Sequence, residues 1–191
     1  ESFTIKNYMS YRDSVELSFL ASKKEKASAL PPEWYQEIDG KRILRLLLCV
    51  GLNGTGKTKM IEALQYLRML AVYKPEKPTD RPAYRPFLLD EQSRYEPSEL
   101  SLTYYINNTC HYYYIKVSEK RIEEEILKQI SPNILLYHRF YNSETDTVSI
   151  KFGSDSDISK STQQALKLTV IQNSSVLSVF GSLNLESQSL K

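Results

Sequence analysis

Residues 51–58 read Gly-Leu-Asn-Gly-Thr-Gly-Lys-Thr, which fits the spacing G-x-x-x-x-G-K-[ST]. Glycines at 51, 54 and 56 let the backbone turn through left-handed conformations that other residues avoid, so that neighbouring N–H groups can converge on one point. The flanks narrow the choice. Before the octet, Ile43-Leu44-Arg45-Leu46-Leu47-Leu48-Cys49-Val50 is an almost unbroken apolar run and predicts a strand buried on both faces of a sheet. After it, apolar residues at 60, 61, 64, 67 and 71 keep helical spacing. Strand, glycine loop and helix in that order predict an α/β fold.

A loop of this kind at a helix N-terminus is suited to phosphate, because its inward N–H groups and the positive end of the helix dipole both favour an anion. Asn53, Gly54, Thr55, Gly56 and Lys59 would supply backbone donors. Lys57 would bring a point charge to the β- and γ-phosphates, and the Thr58 hydroxyl would ligate a Mg²⁺ bridging them. ATP and Mg²⁺ are therefore the expected ligands.

The 191 residues are enough for one domain or one lobe of a larger protein, and 41% hydrophobic with 25% charged residues is the composition of a soluble globular chain. A net charge of +2 builds no nucleic-acid stripe, so any DNA contact would rest on local patches. Two cysteines, Cys49 in the expected core strand and Cys110 in an expected hairpin, make no disulfide framework and suit a reducing cytoplasm. No apolar run is long enough to span a bilayer, so no membrane partner is expected.

Residues 2–7 and 14–19 alternate apolar with polar and predict two antiparallel strands. Residues 22–40, with Lys23, Lys24, Glu25, Lys26 and Pro31-Pro32, predict a surface loop, its Trp34-Tyr35 pair covering a sheet edge. Prolines at 75, 78, 82 and 86 predict an irregular connector. Residues 99–106 and 111–117 flank Asn107-Asn108 and predict a hairpin. Residues 121–127 fit strand or helix; residues 134–140 and 147–152 pair as strands, giving an antiparallel meander. From residue 161 to about 185 the pattern is helical, with a break at Thr169-Val170-Ile171. The nucleotide-binding lobe is thus expected over 1–160 and the start of a helical region over 161–191.

Several weaker signals have plainer readings. Phe87-Leu88-Leu89-Asp90-Glu91 imitates the apolar-run-then-Asp-Glu pattern that supplies a metal-holding Asp and a water-activating Glu, but Pro86 and the connector are a poor route to a central strand. Cys110, His111 and His138 lack a zinc spacing and read as strand residues. Of Tyr104, Tyr105, Tyr112, Tyr113 and Tyr114, adjacent members point to opposite faces, which favours cross-strand pairs over base stacking. Glu123, Glu124 and Glu125 read as a solvated face.

With these motifs placed, the chain resembles the N-terminal half of an ABC-type ATPase of the SMC, RecF and OLD kind, in particular the bacterial AAA-family ATPases of anti-phage and restriction systems. FTIKNYMSYRDSVELSF is similar to that family's first hairpin, and LLCVGLNGTGKTKMIEALQYLRML looks like its Walker A strand, loop and helix. The segment from YRPFLLDEQ to KRIEEEIL resembles its connector and meander. Met9 stands where the family often has a basic residue. The resemblance implies a P-loop NTPase lobe with the meander beside the P-loop strand and helix. It also implies Gln172 as a further Mg²⁺ contact. It implies too that a Ser-Gly signature, a strand ending in Asp-Glu and a switch histidine lie beyond this stretch, so that ATP hydrolysis is incomplete in this chain. In the intact protein it implies an ATP-bound homodimer acting with a nuclease or DNA partner. Other readings of the same loop are a small P-loop kinase, with Arg81, Arg85 and Arg94 as lid arginines, and a nucleotide-gated protein-interaction module.

Overall fold

A computed structural model of the chain describes residues 1–22, 30–183, 185, 187 and 190. The strands are β1 (Ser2–Lys6), β2 (Val15–Ser18), β3 (Tyr35–Ile38), β4 (Lys41–Leu44), β5 (Ser98–Ile106), β6 (Thr109–Val117), β7 (Ile122–Gln129), β8 (Ile134–Asn142) and β9 (Thr147–Phe152). The helices are α1 (Lys57–Val72), α2 (Lys160–Thr169) and α3 (Val176–Ser182). The fold is α/β, with a mostly antiparallel sheet in the order β2-β1-β5-β6-β7-β8-β9 and a separate β3-β4 ribbon.

Two-residue alternation explains the large sheet. Phe3 and Ile5 of β1 stand opposite Leu102 and Leu100 of β5, and Phe3 also opposite Leu17 of β2, so one face of three strands is apolar, with Phe3, Ile5 and Leu100 buried and Leu17 and Leu102 half-buried. Asn107 and Asn108 both adopt positive φ, 50° and 62°, the conformation of the tight turn whose twist matches its strands. The expected meander from β5 to β9 is present, and residues 122–129 resolve as strand.

Helix α1 buries Met60, Ala63, Tyr66, Leu67 and Leu70 against this face. Full burial of each Leu is worth about 1.5–3 kcal/mol, so this stripe holds the helix in place. The buried face is rotated from the one expected: Ile61, Leu64 and Val72 remain exposed on its outer side. Where α1 ends, Tyr73 turns extended, and Ser175 Oγ donates to the Leu70 carbonyl at 2.7 Å, satisfying one of the acceptors a helix C-terminus leaves open. Ser159 and Ser175 cap α2 and α3 by accepting from Thr162 N and Ser178 N. The non-helical break between these helices falls at 170–175.

Three expectations fail. The apolar run 43–50 is not a buried strand: only Ile43 and Leu44 pair, in β4 against β3, and Leu46, Leu48, Val50 and Leu52 are each more than 80% exposed. No described strand flanks residues 45–50, and of their side chains only Leu47 is half-buried. Residues 30–40 are not a plain loop, because Asp39 and Gly40, with φ of 51° and 69°, close the β3–β4 hairpin; the charged residues 23–26 lie outside the described residues. Trp34 covers no edge and is 59% exposed.

Candidate phosphate-binding site

Gly54 and Gly56 carry φ of +83° and +91°, the left-handed turns expected of them. Gly56 is the N-cap of α1 and has no side chain to occupy the helix's first donors. Its carbonyl accepts the first helical bond, from Met60 N at 3.1 Å. Among the described residues no hydrogen bond reaches the N–H groups of Gly54, Gly56, Lys57, Thr58 or Lys59. Only Thr55 N in the tip is engaged, weakly, by Leu52 O at 3.4 Å. A row of open donors at a helix N-terminus suits an anion by geometry and by dipole.

Lys57 is folded back onto its own loop. Its Nζ donates to Gly51 O and Leu52 O, both at 2.7 Å, and approaches Thr55 Oγ1 at 3.4 Å. Among the described residues it has no carboxylate partner, so its charge is met only by neutral oxygens of its own loop. Lys59 is different: Glu62, one helical turn on, holds its ammonium at 2.9 Å, leaving only its backbone N–H to the site. Thr58 is exposed, and among the described residues its hydroxyl makes no hydrogen bond; Asn53 is exposed at the loop tip.

Gln172 is not part of this arrangement. Its carbonyl accepts from Ile122 N and Arg139 Nη2, while the neighbouring Asn173 and Ser175 side chains reach Lys77 O, Asp80 O and Leu70 O. These contacts put it at the C-terminal end of α1. From Thr58 to Leu70 the helix rises about 18 Å, whereas both ligands of one Mg²⁺ must lie within about 2.1 Å of it. The fold separates the two residues, and Gln172 lies too far from Thr58 to share a metal ion with it.

The imitation motif is a local turn. Asp90 Oδ2 accepts from Ser93 N at 2.9 Å and from Ser93 Oγ at 2.6 Å, and these bonds hold its carboxyl below the usual range. Leu89 beside it is exposed, so there is no strand end here to aim an acid. Cys49 is exposed and Cys110 buried, both as free thiols, and no group of three metal-ligating residues occurs among the described residues. Arg81 pairs with Glu119 at the surface.

Glu125 corrects the expected solvated face. It is fully buried, accepting from Tyr113 Oη at 3.1 Å, Tyr137 Oη at 2.7 Å and Val176 N, at the start of α3, at 2.7 Å. Arg139, its cross-strand partner, is equally buried and donates to the carbonyls of Ile122, Ile171 and Gln172. Burial lowers the Arg139 pKa to about 10, still charged at neutral pH. Its parity with Leu127 was a readable signal that Glu125 faces inward. This cluster joins the meander to α3 and lies away from the glycine loop.

No helix among the described residues is long and apolar enough to cross a membrane. No protein-family model matches the chain, and a search of curated proteins finds no match.

Proposed function

We propose that residues 51–59 bind Mg-ATP, as the phosphate-binding part of an SMC- or OLD-like P-loop ATPase. The observation that carries this reading is the row of N–H groups, unpartnered among the described residues, behind two left-handed glycines, with an ammonium lacking a carboxylate held on the same loop. Gly54, Gly56, Lys57 and Lys59 supply donors to the phosphates, with Asn53 and Thr55 at the tip, and Thr58 supplies the metal ligand. Thr58→Val, nearly the same shape without the hydroxyl, should bind nucleotide with no gain from magnesium. If magnesium tightens ATP binding equally in variant and parent, titrated side by side, the assignment of Thr58 is wrong.

Hydrolysis in this reading needs further polypeptide. Among the described residues no carboxylate is hydrogen-bonded to residues 51–58, and Leu46, Leu48, Val50 and the outer stripe Ile61, Leu64 and Val72 are uncovered. Apolar area of this extent beside a binding loop favours a protein surface against it. In the intact assembly that surface would come with the residues that activate water, in a two-fold ATP-bound dimer working with a DNA-directed or nuclease partner. These 191 residues alone should therefore bind ATP with negligible turnover. Robust phosphate release by the isolated chain, abolished by Glu91→Gln, would instead make it a self-contained enzyme.

A further inference from the structure

The turn between β1 and β2 is built more rigidly than a surface hairpin needs. Asn7 and Met9 both hold positive φ, 50° and 47°, a conformation that costs energy in residues other than glycine and persists only where surroundings enforce it. The enforcement is visible. The Asn7 side chain, 1% exposed, accepts from Phe87 N at 3.0 Å and donates to Ser93 O at 2.8 Å and Glu96 O at 2.6 Å; its carbonyl accepts from Ser98 Oγ. Met9 N donates to Arg85 O at 2.9 Å. Tyr8, buried, stacks on Tyr66 of α1 with ring centroids 5.4 Å apart. The turn is thus tied to the connector, to β5 and to α1.

Its free corner meets the glycine loop. Tyr11 Oη donates to the Gly56 carbonyl at 3.0 Å, the same oxygen that accepts the first bond of α1. A Cβ added at Gly56 would lie 3.1 Å from Tyr11 Oη and 3.3 Å from Ser10 Cβ, so the turn is packed flush against the loop. Among the described residues no strand pairs with residues 45–50 before the loop, the segment that usually fixes such a loop. The side of Gly56 that faces away from its open donors is held by Tyr11.

We infer that Tyr11 is a positioning residue for nucleotide: its hydroxyl, anchored through the Asn7 turn, holds the Gly56 carbonyl so that the N–H groups of residues 56–59 converge on one phosphate position. It does not touch the ligand. The inference rests on the Mg-ATP reading above and adds to it a part outside the octet that sets the loop's geometry.

Tyr11→Phe keeps the ring against Gly56 and removes only the bond. Calorimetric titration of Mg-ATP into the full chain should show affinity about three- to ten-fold weaker, the size of one lost hydrogen bond. Amide hydrogen exchange at residues 54–60 in the nucleotide-free protein should speed up, while the thermal midpoint falls by no more than about 5 °C. Tyr141→Phe, which loses a hydroxyl bond to Asp146 Oδ1 in the β8–β9 turn, is the control and should bind as the parent does. If the parent binds Mg-ATP and Tyr11→Phe matches it in affinity and in exchange, the role of Tyr11 is overturned while the site stands. Weakening by Tyr141→Phe equal to that by Tyr11→Phe also overturns it, since loss of any tyrosine hydroxyl bond would then suffice. If the parent itself fails to bind, the nucleotide reading falls and takes this role with it.

Discussion

Lys57→Ala is expected to weaken Mg-ATP binding at least ten-fold, about 1.4 kcal/mol or more. In the ligand-free loop the ammonium rests on two neutral carbonyls, Gly51 O and Leu52 O. When phosphate enters, those contacts are exchanged for bonds between opposite charges, which are shorter and roughly twice as strong. Alanine retains the helix and the open N–H groups but contributes nothing to that exchange. The loss should appear for ATP and ADP alike, with unchanged secondary structure by circular dichroism, because α1 is held by Met60, Ala63, Tyr66, Leu67 and Leu70 and not by Lys57. Equal affinities for parent and variant in a calorimetric titration would refute the site.

Glu125→Ala should be the more damaging change to the fold, costing about 3–5 kcal/mol. It removes the acceptor of three buried donors, Tyr113 Oη, Tyr137 Oη and Val176 N, and the charge facing the buried Arg139. Each donor left dry costs about 1–3 kcal/mol, against a total stability of about 5–15 kcal/mol for a domain. The midpoint of thermal unfolding should fall on the order of 10 °C. Glu125→Gln retains an acceptor oxygen and should lose less than half as much. Burial holds the Glu125 carboxyl above its usual range, outweighing the hydrogen bonds and the Arg139 charge that pull it down. A raised folded-state pKa favours the fold fully below the unfolded value, and that contribution is lost as pH rises through the folded value. Denaturant midpoints of the parent should accordingly decline relative to Glu125→Gln as pH rises above about 4.3. A Glu125→Ala midpoint within a degree of the parent's would show that the cluster does not support the fold.

The local parts of this protein could be read in order along the chain. The octet, its left-handed glycines and the helix after it follow from residues within a few positions of one another, and so does the hairpin closed by Asn107 and Asn108. Alternation along residues 99–152 was enough for the meander, because each strand there pairs with the next. The β3–β4 ribbon was equally legible, since Asp39-Gly40 is a hairpin signal; it was obscured by the prolines and charges around it.

Contacts between distant segments were not legible. An apolar run such as 43–50 shows that a strand there tolerates burial on both faces, but burial depends on neighbours supplied from elsewhere, and none of the described strands provides them. Glu125 announces its inward face by parity, yet the groups that make an inward carboxylate tolerable come from β6, β8 and the start of α3. Only the family resemblance put Gln172 near the loop; the length of α1 sets it at the far end. Tyr11 and Gly56, 45 positions apart, meet because Asn7 forces a left-handed turn and Tyr8 stacks on α1. Backbone propensity and side-chain period act over a few residues and are written in the chain, whereas burial, paired charge and loop geometry depend on which surfaces meet, and that is decided only when the helix closes over the sheet.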